Sequence, residues 1–169
     1  LLFERPRGSS VPLVMNLFGT MDRVRTAIGR DPAEIGHELL AAAQRVNPPT
    51  IKGLWESRGT LKRALAMRPS RVSSGICQEV VEEPDLTQLP ILQCWPLDAG
   101  RFITWGMVLT EHPRSGRRNL GLYRLQVFDK NSTGMHWQSM KGGRGHYWEA
   151  EQRGEALEAA VVIGADPIL

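Results

Sequence analysis

The second half of the chain concentrates polar, aromatic and glycine residues in three closely spaced motifs. These are NLGLYR at residues 119–124, GMHWQ at 134–138 and KGG at 141–143. They combine an amide oxygen, a guanidinium, an ammonium group, aromatic rings and unobstructed backbone amides, which together can hold a planar anionic molecule. We expect two neighbouring strands and the loop after them to form a site for a flat, phosphorylated cofactor.

Asn119 and Arg124 each allow two interpretations. The Asn119 oxygen is a neutral, hard donor of the kind that Mg²⁺ or Mn²⁺ prefers, but asparagine is also a common turn residue. Arg124 lies in an apolar strand, where its guanidinium needs a partner, either a carboxylate bound at a functional site or an acid elsewhere in the barrel that forms a structural ion pair. Strict alternation places the two side chains on opposite faces. One shared site therefore requires a bend in the strand, or an Asn119 that lies just before it.

The other polar residues are equally ambiguous when taken singly. His136 and Trp137 are adjacent and point to opposite faces of a strand, so one can line a pocket while the other packs in the core. A lone histidine is more often structural than a ligand. The 141–143 motif offers a cation and backbone donors for a phosphate, although glycine pairs also mark ordinary turns.

The elements that must position these residues fall into two parts. In the first, apolar patterning predicts a strand over residues 11–18, and helical spacing predicts helices over 21–28, 32–46 and 55–67. Asp31 and Pro32 form the clearest helix start, and Asn47 with Pro48 and Pro49 should end that helix.

The second part is richer in strands and turns. Strands are predicted over 77–81, 102–110, 120–128, 133–139 and 159–163, with a helix over 147–153. The fold class is therefore α+β, a short N-terminal α/β region followed by a mainly antiparallel, barrel-like sheet. We place the two domains at residues 1–75 and 76–169, with the boundary somewhere between Met67 and Leu92.

Composition excludes several classes of protein. The 169 residues (18.9 kDa) are 41% hydrophobic, and no apolar run is long enough to cross a bilayer. We expect no signal peptide and a cytoplasmic location. The net charge is +3, and part of the basic charge comes from Arg114, Arg117 and Arg118 in one turn. Because no nucleic-acid recognition motif accompanies this charge, we expect no nucleic-acid partner. Cys77 and Cys94 fit no metal spacing and are expected to be buried, reduced thiols. A start without methionine and an apolar end suggest a fragment.

Dinucleotide, P-loop, serine-hydrolase and zinc-protease motifs are missing from the sequence. Seven short motifs instead occur in one order along nearly the whole chain. They are NLFGT at 16–20, CWP at 94–96, ITWG at 103–106, NLGLYR at 119–124, GMHWQ at 134–138, KGG at 141–143 and GADP at 164–167. In this order they resemble the UbiD family of decarboxylases that use prenylated FMN.

The resemblance implies a flavin-reductase-like split β-barrel that holds prenylated FMN. A divalent metal, usually Mn²⁺ or else Mg²⁺, would bridge the flavin phosphate to the protein, with a monovalent ion such as K⁺ nearby. Asn119 would be a metal ligand. The cofactor contacts would be Thr104, Leu122, Tyr123, Arg124, His136, Trp137, Gln138, Lys141 and Gly142.

The resemblance also implies the chemistry. Arg124 would orient the substrate carboxylate and tune the proton donor, as a catalytic residue. Many family members carry histidine where this chain has Met140, and a thioether is a poor partner for a hard cation. The second metal ligand, a glutamate, and the catalytic acid of the family would lie beyond Leu169, so this chain alone should be inactive.

We therefore expect a portion of a reversible, non-oxidative decarboxylase of aromatic or α,β-unsaturated acids, with a hydroxybenzoate-type quinone precursor as one candidate substrate. A flavin prenyltransferase would supply the cofactor, and the full-length protein should be a homo-oligomer. Two alternatives stay open. One is a flavin-binding or interaction module without decarboxylase activity, and the other, which rests only on the sequence pI near 9.2, is an RNA-binding barrel.

Overall fold

A computed structural model describes residues 1–47, 50–166 and 168. The chain forms two compact units, one made of residues 16–82 and the other of residues 1–15 together with 83–169. The domain boundary that we place near residue 75 stays a prediction, because the two compact units reflect contacts within this chain and do not test where a domain begins or ends. Among the described residues, no helix has the length and apolar character needed to cross a membrane.

The unit of residues 16–82 is helical. Its helices are α1 (Met21–Ile28), α2 (Pro32–Val46), α3 (Ile51–Glu56) and α4 (Arg58–Ala66). The predicted start of α2 is confirmed, since an Asp31 side-chain oxygen accepts the Ala33 N–H at 2.9 Å and Pro32 occupies the first turn. The proline pair at residues 48–49, predicted to end α2, lies outside the described residues.

Two predictions for this unit are wrong. The single helix over 55–67 is two helices that meet at Ser57, because Thr50 caps an earlier start by accepting the Gly53 N–H at 3.0 Å. The strand over 77–81 is instead a 3₁₀ turn at Ile76–Gln78, which the Gln78 side chain closes by accepting the Gly75 N–H at 3.0 Å.

The described residues of the unit that carries the candidate site form three antiparallel sheets, one α-helix and a 3₁₀ turn at Leu86–Gln88. β1 (Leu2–Phe3) pairs with β2 (Leu13–Val14). One three-stranded sheet has the order β3-β6-β7, and the other has the order β5-β4-β8. The bounds are β3 Phe102–Ile103, β4 Met107–Glu111, β5 Arg118–Leu122, β6 Leu125–Val127, β7 Thr133–Met135, α5 Gly142–Gln152 and β8 Ala159–Val162. The described residues contain no closed barrel.

Several predicted strands are shorter than expected. The strand over 11–18 is reduced to β2, because Asn16 takes a left-handed conformation (φ 51°) that a continuous strand excludes. The strand over 133–139 ends at Met135, and the one over 159–163 ends at Val162. The helix expected from Tyr147 begins five residues earlier, at Gly142.

Two predicted strands are each divided by a corner. The segment 102–110 splits into β3 and β4, and the segment 120–128 splits into β5 and β6. In each case the first and second halves belong to different sheets, as happens where strands switch sheets at a bend. The Tyr123 N–H donates to the Gly106 carbonyl at 3.4 Å, so the two corners lie side by side.

The core of this unit lies at the paired corners. Its buried members are Ile103, Val108, Tyr123 and Leu125, and partly buried side chains that include Met135 and Trp137 pack against them. A tyrosine in this position needs a hydrogen-bond partner for its hydroxyl. That requirement links the core to the candidate site. The two cysteines, expected to be buried, are both exposed because they lie outside this core.

Candidate cofactor site

The hydroxyl of Tyr123 is the centre of the candidate site. Tyr123 is only 3% exposed, and its hydroxyl oxygen accepts the Gly143 N–H at 2.8 Å and the Asn119 side-chain amide at 3.2 Å. Asn119 lies in β5 and Gly143 in the first turn of α5. One buried oxygen therefore joins the strand that carries the predicted metal ligand to the start of the helix.

Lys141 lies at the same end of α5. Its ammonium group donates to the Leu122 carbonyl at 2.7 Å and is 5.0 Å from the centroid of the Tyr123 ring. No side chain caps α5 at Lys141, and the Gly142 N–H donates to no acceptor among the described residues. An uncapped helix start carries partial positive charge, so this end of α5 combines a full cation with free N–H donors.

The glycine pair at residues 142–143 is required by close packing. A Cβ on Gly143 would lie 2.6 Å from the Tyr123 hydroxyl oxygen and 2.7 Å from Cζ3 of Trp137, and a Cβ on Gly142 would overlap the Asn119 side-chain oxygen. Side-chain bulk at position 143 would push the start of α5 away from Tyr123 and Trp137, whereas bulk at position 142 would displace the Asn119 side chain of β5. The pair thus begins a helix that approaches β5 closely, and it is not an ordinary turn.

Aromatic rings continue from this cluster. Trp137 meets Tyr123 edge-on with ring centroids 5.1 Å apart and stacks on Tyr147 at 5.7 Å with an interplanar angle of 17°. His136, the preceding residue, is exposed. Their opposite placement follows the alternation expected of a strand, although β7 ends at Met135. Sequence analysis treated Tyr147 only as part of a helix, and no spacing signal marked it as the partner of Trp137.

Arg124 lies at the corner between β5 and β6. Its guanidinium carbon is 3.8 Å from the centroid of the Phe102 ring, and Nη2 forms an ion pair with an Asp98 oxygen at 3.5 Å. The guanidinium thus has an acidic partner, although its side chain is 45% exposed rather than buried in an apolar strand as expected. Asp98 was not a predicted site residue, because nothing in its local sequence indicates a partner 26 residues away.

The corner provides the bend that a shared site requires, but the predicted residues form two groups. Asn119, Tyr123, Trp137, Lys141 and Gly142 belong to the cluster around the Tyr123 hydroxyl, whereas Arg124 turns to Asp98. No hydrogen bond links the Arg124 side chain to that cluster in the part of the chain that the structure describes.

The remaining predicted residues are exposed. Thr104 lies in the bend between β3 and β4, Leu122 ends β5, and Gln138 precedes α5, where its carbonyl accepts the Lys141 N–H at 3.0 Å. Met140 is 96% exposed. The structure also has an open groove of about 560 Å³, lined by Leu109, Thr110, Glu111, Arg118, Glu158, Ala159 and Ala160. None of these is a predicted site residue, and the groove lacks the convergent polar groups found around the Tyr123 hydroxyl.

His146 is a buried polar residue that sequence analysis did not consider. Its Nδ1 lies 2.9 Å from Oγ1 of the buried Thr110, and its ring meets the His112 ring edge-on at 5.1 Å. Burial lowers the pKa of His146, and the nearby His112 and Arg117 lower it further. The buried face of α5, formed by Gly143, His146 and Ala150, has helical spacing that could have revealed this histidine.

These groups suit the phosphate end of a cofactor. A lysine ammonium, a free backbone N–H and an uncapped helix start all favour an anion. For a metal the described residues supply less, since no three or more of their His, Cys, Asp or Glu side chains are grouped so that they could hold a metal ion. Asn119 is a single oxygen donor. A metal held there must take its other ligands from elsewhere.

Comparison with known proteins supports the family resemblance. Residues 69–169 match the UbiD family's "3-octaprenyl-4-hydroxybenzoate carboxy-lyase Rift-related domain", and residues 1–43 match the N-terminal domain of the same carboxy-lyase. The first match covers more than half of the chain, so the chain belongs to the UbiD family.

Two curated relatives are similar over the whole chain, and each is described only as an uncharacterized protein. One, from Archaeoglobus fulgidus, is 45% identical over 169 residues, which are 99% of this chain and 35% of that protein. The other, from Aquifex aeolicus, is 42% identical over 172 residues and covers 100% of this chain and 35% of its own length. The chain thus spans about a third of the length of the curated relatives it matches.

Solved structures of UbiD-class enzymes have a similar fold. HmfF from Pelotomaculum thermopropionicum, in complex with FMN, is 28% identical with a TM-score of 0.70 over 96% of this chain and 33% of that one. An evolved dimeric form of HmfF in complex with prFMN is 28% identical, with a TM-score of 0.71 over 98% of this chain and 35% of that one. Vanillic acid decarboxylase from Sedimentibacter hydroxybenzoicus, in closed form, is 22% identical, with a TM-score of 0.74 over 98% of this chain and 34% of that one. At this sequence identity the likeness supports the fold alone.

Proposed function

We propose that this chain is the cofactor-binding part of a reversible, non-oxidative decarboxylase that uses prenylated FMN and a divalent metal. Its substrate would be an aromatic or α,β-unsaturated carboxylic acid, with a hydroxybenzoate-type quinone precursor as a candidate. Family membership supports the reaction class, and two neighbours at 28% identity were solved with FMN or prFMN. The observation that carries the proposal is that Asn119 and the Gly143 N–H at the uncapped start of α5 both donate to the Tyr123 hydroxyl, while the Lys141 ammonium group lies over the ring of the same tyrosine.

The flavin phosphate would bind at the start of α5. Lys141 supplies a full positive charge within reach of that end of the helix, and the Gly142 N–H is a free donor there. Hydrogen bonds between charged groups are roughly twice as strong as neutral ones. Electrostatic attraction therefore favours a phosphate over an uncharged group at this place.

Asn119 would contribute an oxygen ligand to Mn²⁺ or Mg²⁺ beside that phosphate, with a monovalent ion such as K⁺ nearby. The phosphate itself and a glutamate beyond Leu169 would supply further ligands. Carboxamide and phosphate oxygens are the hard donors that these ions prefer.

The remaining predicted residues would surround the flavin ring system. They are Thr104, Leu122, Tyr123, Arg124, His136, Trp137 and Gln138. When bound, the prenylated flavin supplies the electron sink for decarboxylation. Arg124 would orient the substrate carboxylate, and Asp98 and Phe102 limit where its guanidinium can lie. A carboxylic acid beyond Leu169 would protonate the product.

The finer features of the fold and assembly belong to the same proposal. In the full-length protein the sheets that meet at the corners would be parts of a flavin-reductase-like split β-barrel, with domains at residues 1–75 and 76–169. A flavin prenyltransferase would supply the cofactor. We expect a homo-oligomer in the cytoplasm.

A test of this proposal uses full-length protein co-expressed with a flavin prenyltransferase. Denaturing mass spectrometry and an absorption spectrum should show bound prenylated FMN, and ¹³C-bicarbonate should exchange into at least one aryl or acrylic acid of a test panel. The variant Arg124→Gln should keep the cofactor but lose about 100-fold or more in kcat. Cofactor-loaded protein that exchanges label into no acid would contradict the reaction.

A flavin-binding module without decarboxylase activity is a second candidate. The observation that favours it is Met140, where many family members carry histidine and where this thioether is fully exposed. In the same experiment this candidate predicts normal cofactor loading and no exchange of label. The two proposals therefore differ only in the exchange measurement.

A further inference from the structure

We propose that Thr110 and His146 are a positioning pair that holds the start of α5 against β5, so that Gly142 presents its free backbone N–H to a phosphate. The inference rests on the proposed function, because it assigns the pair to the phosphate end of the cofactor site. Neither residue would touch the cofactor. Both would act through the helix.

The geometry of the pair supports this role. Thr110 is 1% and His146 8% exposed, and Oγ1 and Nδ1 share a hydrogen bond of 2.9 Å. In the register of β4 and β5, Thr110 lies directly opposite Asn119. His146 is one helical turn after Gly142, which is about 5.4 Å along the axis. The hydrogen bond therefore joins the strand pair that carries Asn119 to the turn of α5 that carries the free amide.

The position of His146 is fixed by more than one contact. Its ring meets His112 edge-on, and Nδ1 of His112 accepts the Arg114 N–H at 3.1 Å and the Ser115 N–H at 3.4 Å. His112 is thus held by the turn between β4 and β5. With the bonds from Gly143 to Tyr123 and from Lys141 to Leu122, α5 is attached at three places.

Loss of one member of the pair should displace the helix. A buried polar atom without a partner is unfavourable, so the remaining atom will seek water or a new partner, and α5 must move to allow it. Because the free amide and Lys141 lie at that end of α5, a small displacement would misalign the phosphate donors. The residues proposed to surround the flavin ring precede α5, and those other than Tyr123 and Trp137, which contact the helix, should be less affected.

This difference gives a readout that a general structural role would not produce. FMN and riboflavin share the ring system, but only FMN carries the phosphate. A displaced α5 should weaken binding of FMN and leave binding of riboflavin almost unchanged. A general loosening of the fold would weaken both.

The experiment measures dissociation constants for FMN and riboflavin by flavin fluorescence in the full-length protein. Thr110→Val removes the hydroxyl at constant shape and should weaken FMN binding about tenfold, the equivalent of one lost net hydrogen bond. Riboflavin binding should change by less than about twofold by the same estimate. Thr110→Ser and His146→Asn keep a hydrogen-bonding atom in place and should stay within about threefold of the parent protein for FMN.

A double variant separates positioning from folding. Thr110→Val with His146→Leu replaces both polar partners by apolar groups, which avoids a buried unpaired atom, so the protein should stay folded. Its preference for FMN over riboflavin should still fall about tenfold, because the hydrogen bond that fixes α5 relative to β4 is absent in the double variant too. The inference would be overturned if Thr110→Val and the double variant both kept the parent protein's preference for FMN over riboflavin. It would also be overturned if the variants bound FMN and riboflavin more weakly by the same factor. A parent protein with no preference for FMN would instead contradict the proposed phosphate site.

Discussion

At the scale of single residues, the candidate site depends on close approach between α5 and β5. The chain begins α5 with two glycines, and the second lies against both Tyr123 and Trp137. The sequence could show that residues 141–143 offer a cation and backbone donors. It could not show that they begin a helix, since glycine disfavours helices and the packing that overrides this preference is tertiary.

Glycine-to-alanine substitutions on α5 test the close approach. Gly143→Ala should lower the free energy of unfolding by about 1–3 kcal/mol, because its Cβ would collide with Tyr123 and Trp137. Gly145→Ala is the matched control, since nothing lies within 4 Å of its Cβ, and it should raise stability by up to about 1 kcal/mol. Urea unfolding measures both. Equal effects of the two substitutions would contradict the packing.

The Tyr123 hydroxyl is testable in the same way. Tyr123→Phe removes the acceptor of the Gly143 N–H and should lower the free energy of unfolding by about 1–3 kcal/mol. Tyr147→Phe, in the partly exposed ring stacked on Trp137, should change it by less than about 0.5 kcal/mol. If Tyr123→Phe were as mild as Tyr147→Phe, the hydroxyl would not be the link between β5 and α5.

At the scale of elements, sequence analysis succeeded where the causes are local. The bounds of α1 and the capped start of α2 are confirmed, because a cap and a helical stripe are set by neighbours in the chain. The corners that divide two predicted strands were missed. A strand switches sheets because of which partners it meets, and β3 and β6 find each other across more than 20 residues. Asp98 was missed for the same reason, whereas the helical spacing of Gly143, His146 and Ala150 was a local signal that could have revealed His146.

The stability contributed by the Thr110–His146 contact between β4 and α5 should depend on pH. Burial, with His112 and Arg117 nearby, lowers the pKa of His146 below its ordinary value of 6.5, so the unfolded chain binds a proton more readily. Stability should be unaffected well above pH 6.5 and should fall as the pH drops from there through the pKa of the folded protein. His146→Asn removes the ionisable ring and should flatten this fall in urea titrations. An unchanged pH profile in the variant would exclude His146 as its source.

At the scale of the whole molecule, family membership was identifiable from the sequence because seven weak motifs occur in one order. No single motif would have sufficed, since each also has an ordinary structural explanation. The convergence of Asn119, Lys141 and Gly142 at one place could not be derived from strand alternation. It depends on the corner and on the early start of α5, which are properties of the folded chain.

Ligand binding should stabilise the full-length protein by mass action. FMN with Mn²⁺ at about 100 times the dissociation constant should raise the free energy of unfolding by about 2.7 kcal/mol. Removing the metal with a chelator should reduce this gain, and Asn119→Ala should make the protein insensitive to the chelator. Thermal unfolding measures each case. If neither the chelator nor Asn119→Ala changed the stabilisation by FMN, Asn119 would be excluded as a metal ligand.

A crystal structure of the full-length protein with FMN and Mn²⁺ tests the central claim most directly. We predict the phosphate at the start of α5, within hydrogen-bonding distance of the Gly142 N–H and the Lys141 ammonium group, and an anomalous manganese signal beside the Asn119 oxygen. A phosphate bound elsewhere, with Lys141 still donating only to the Leu122 carbonyl, would contradict the account.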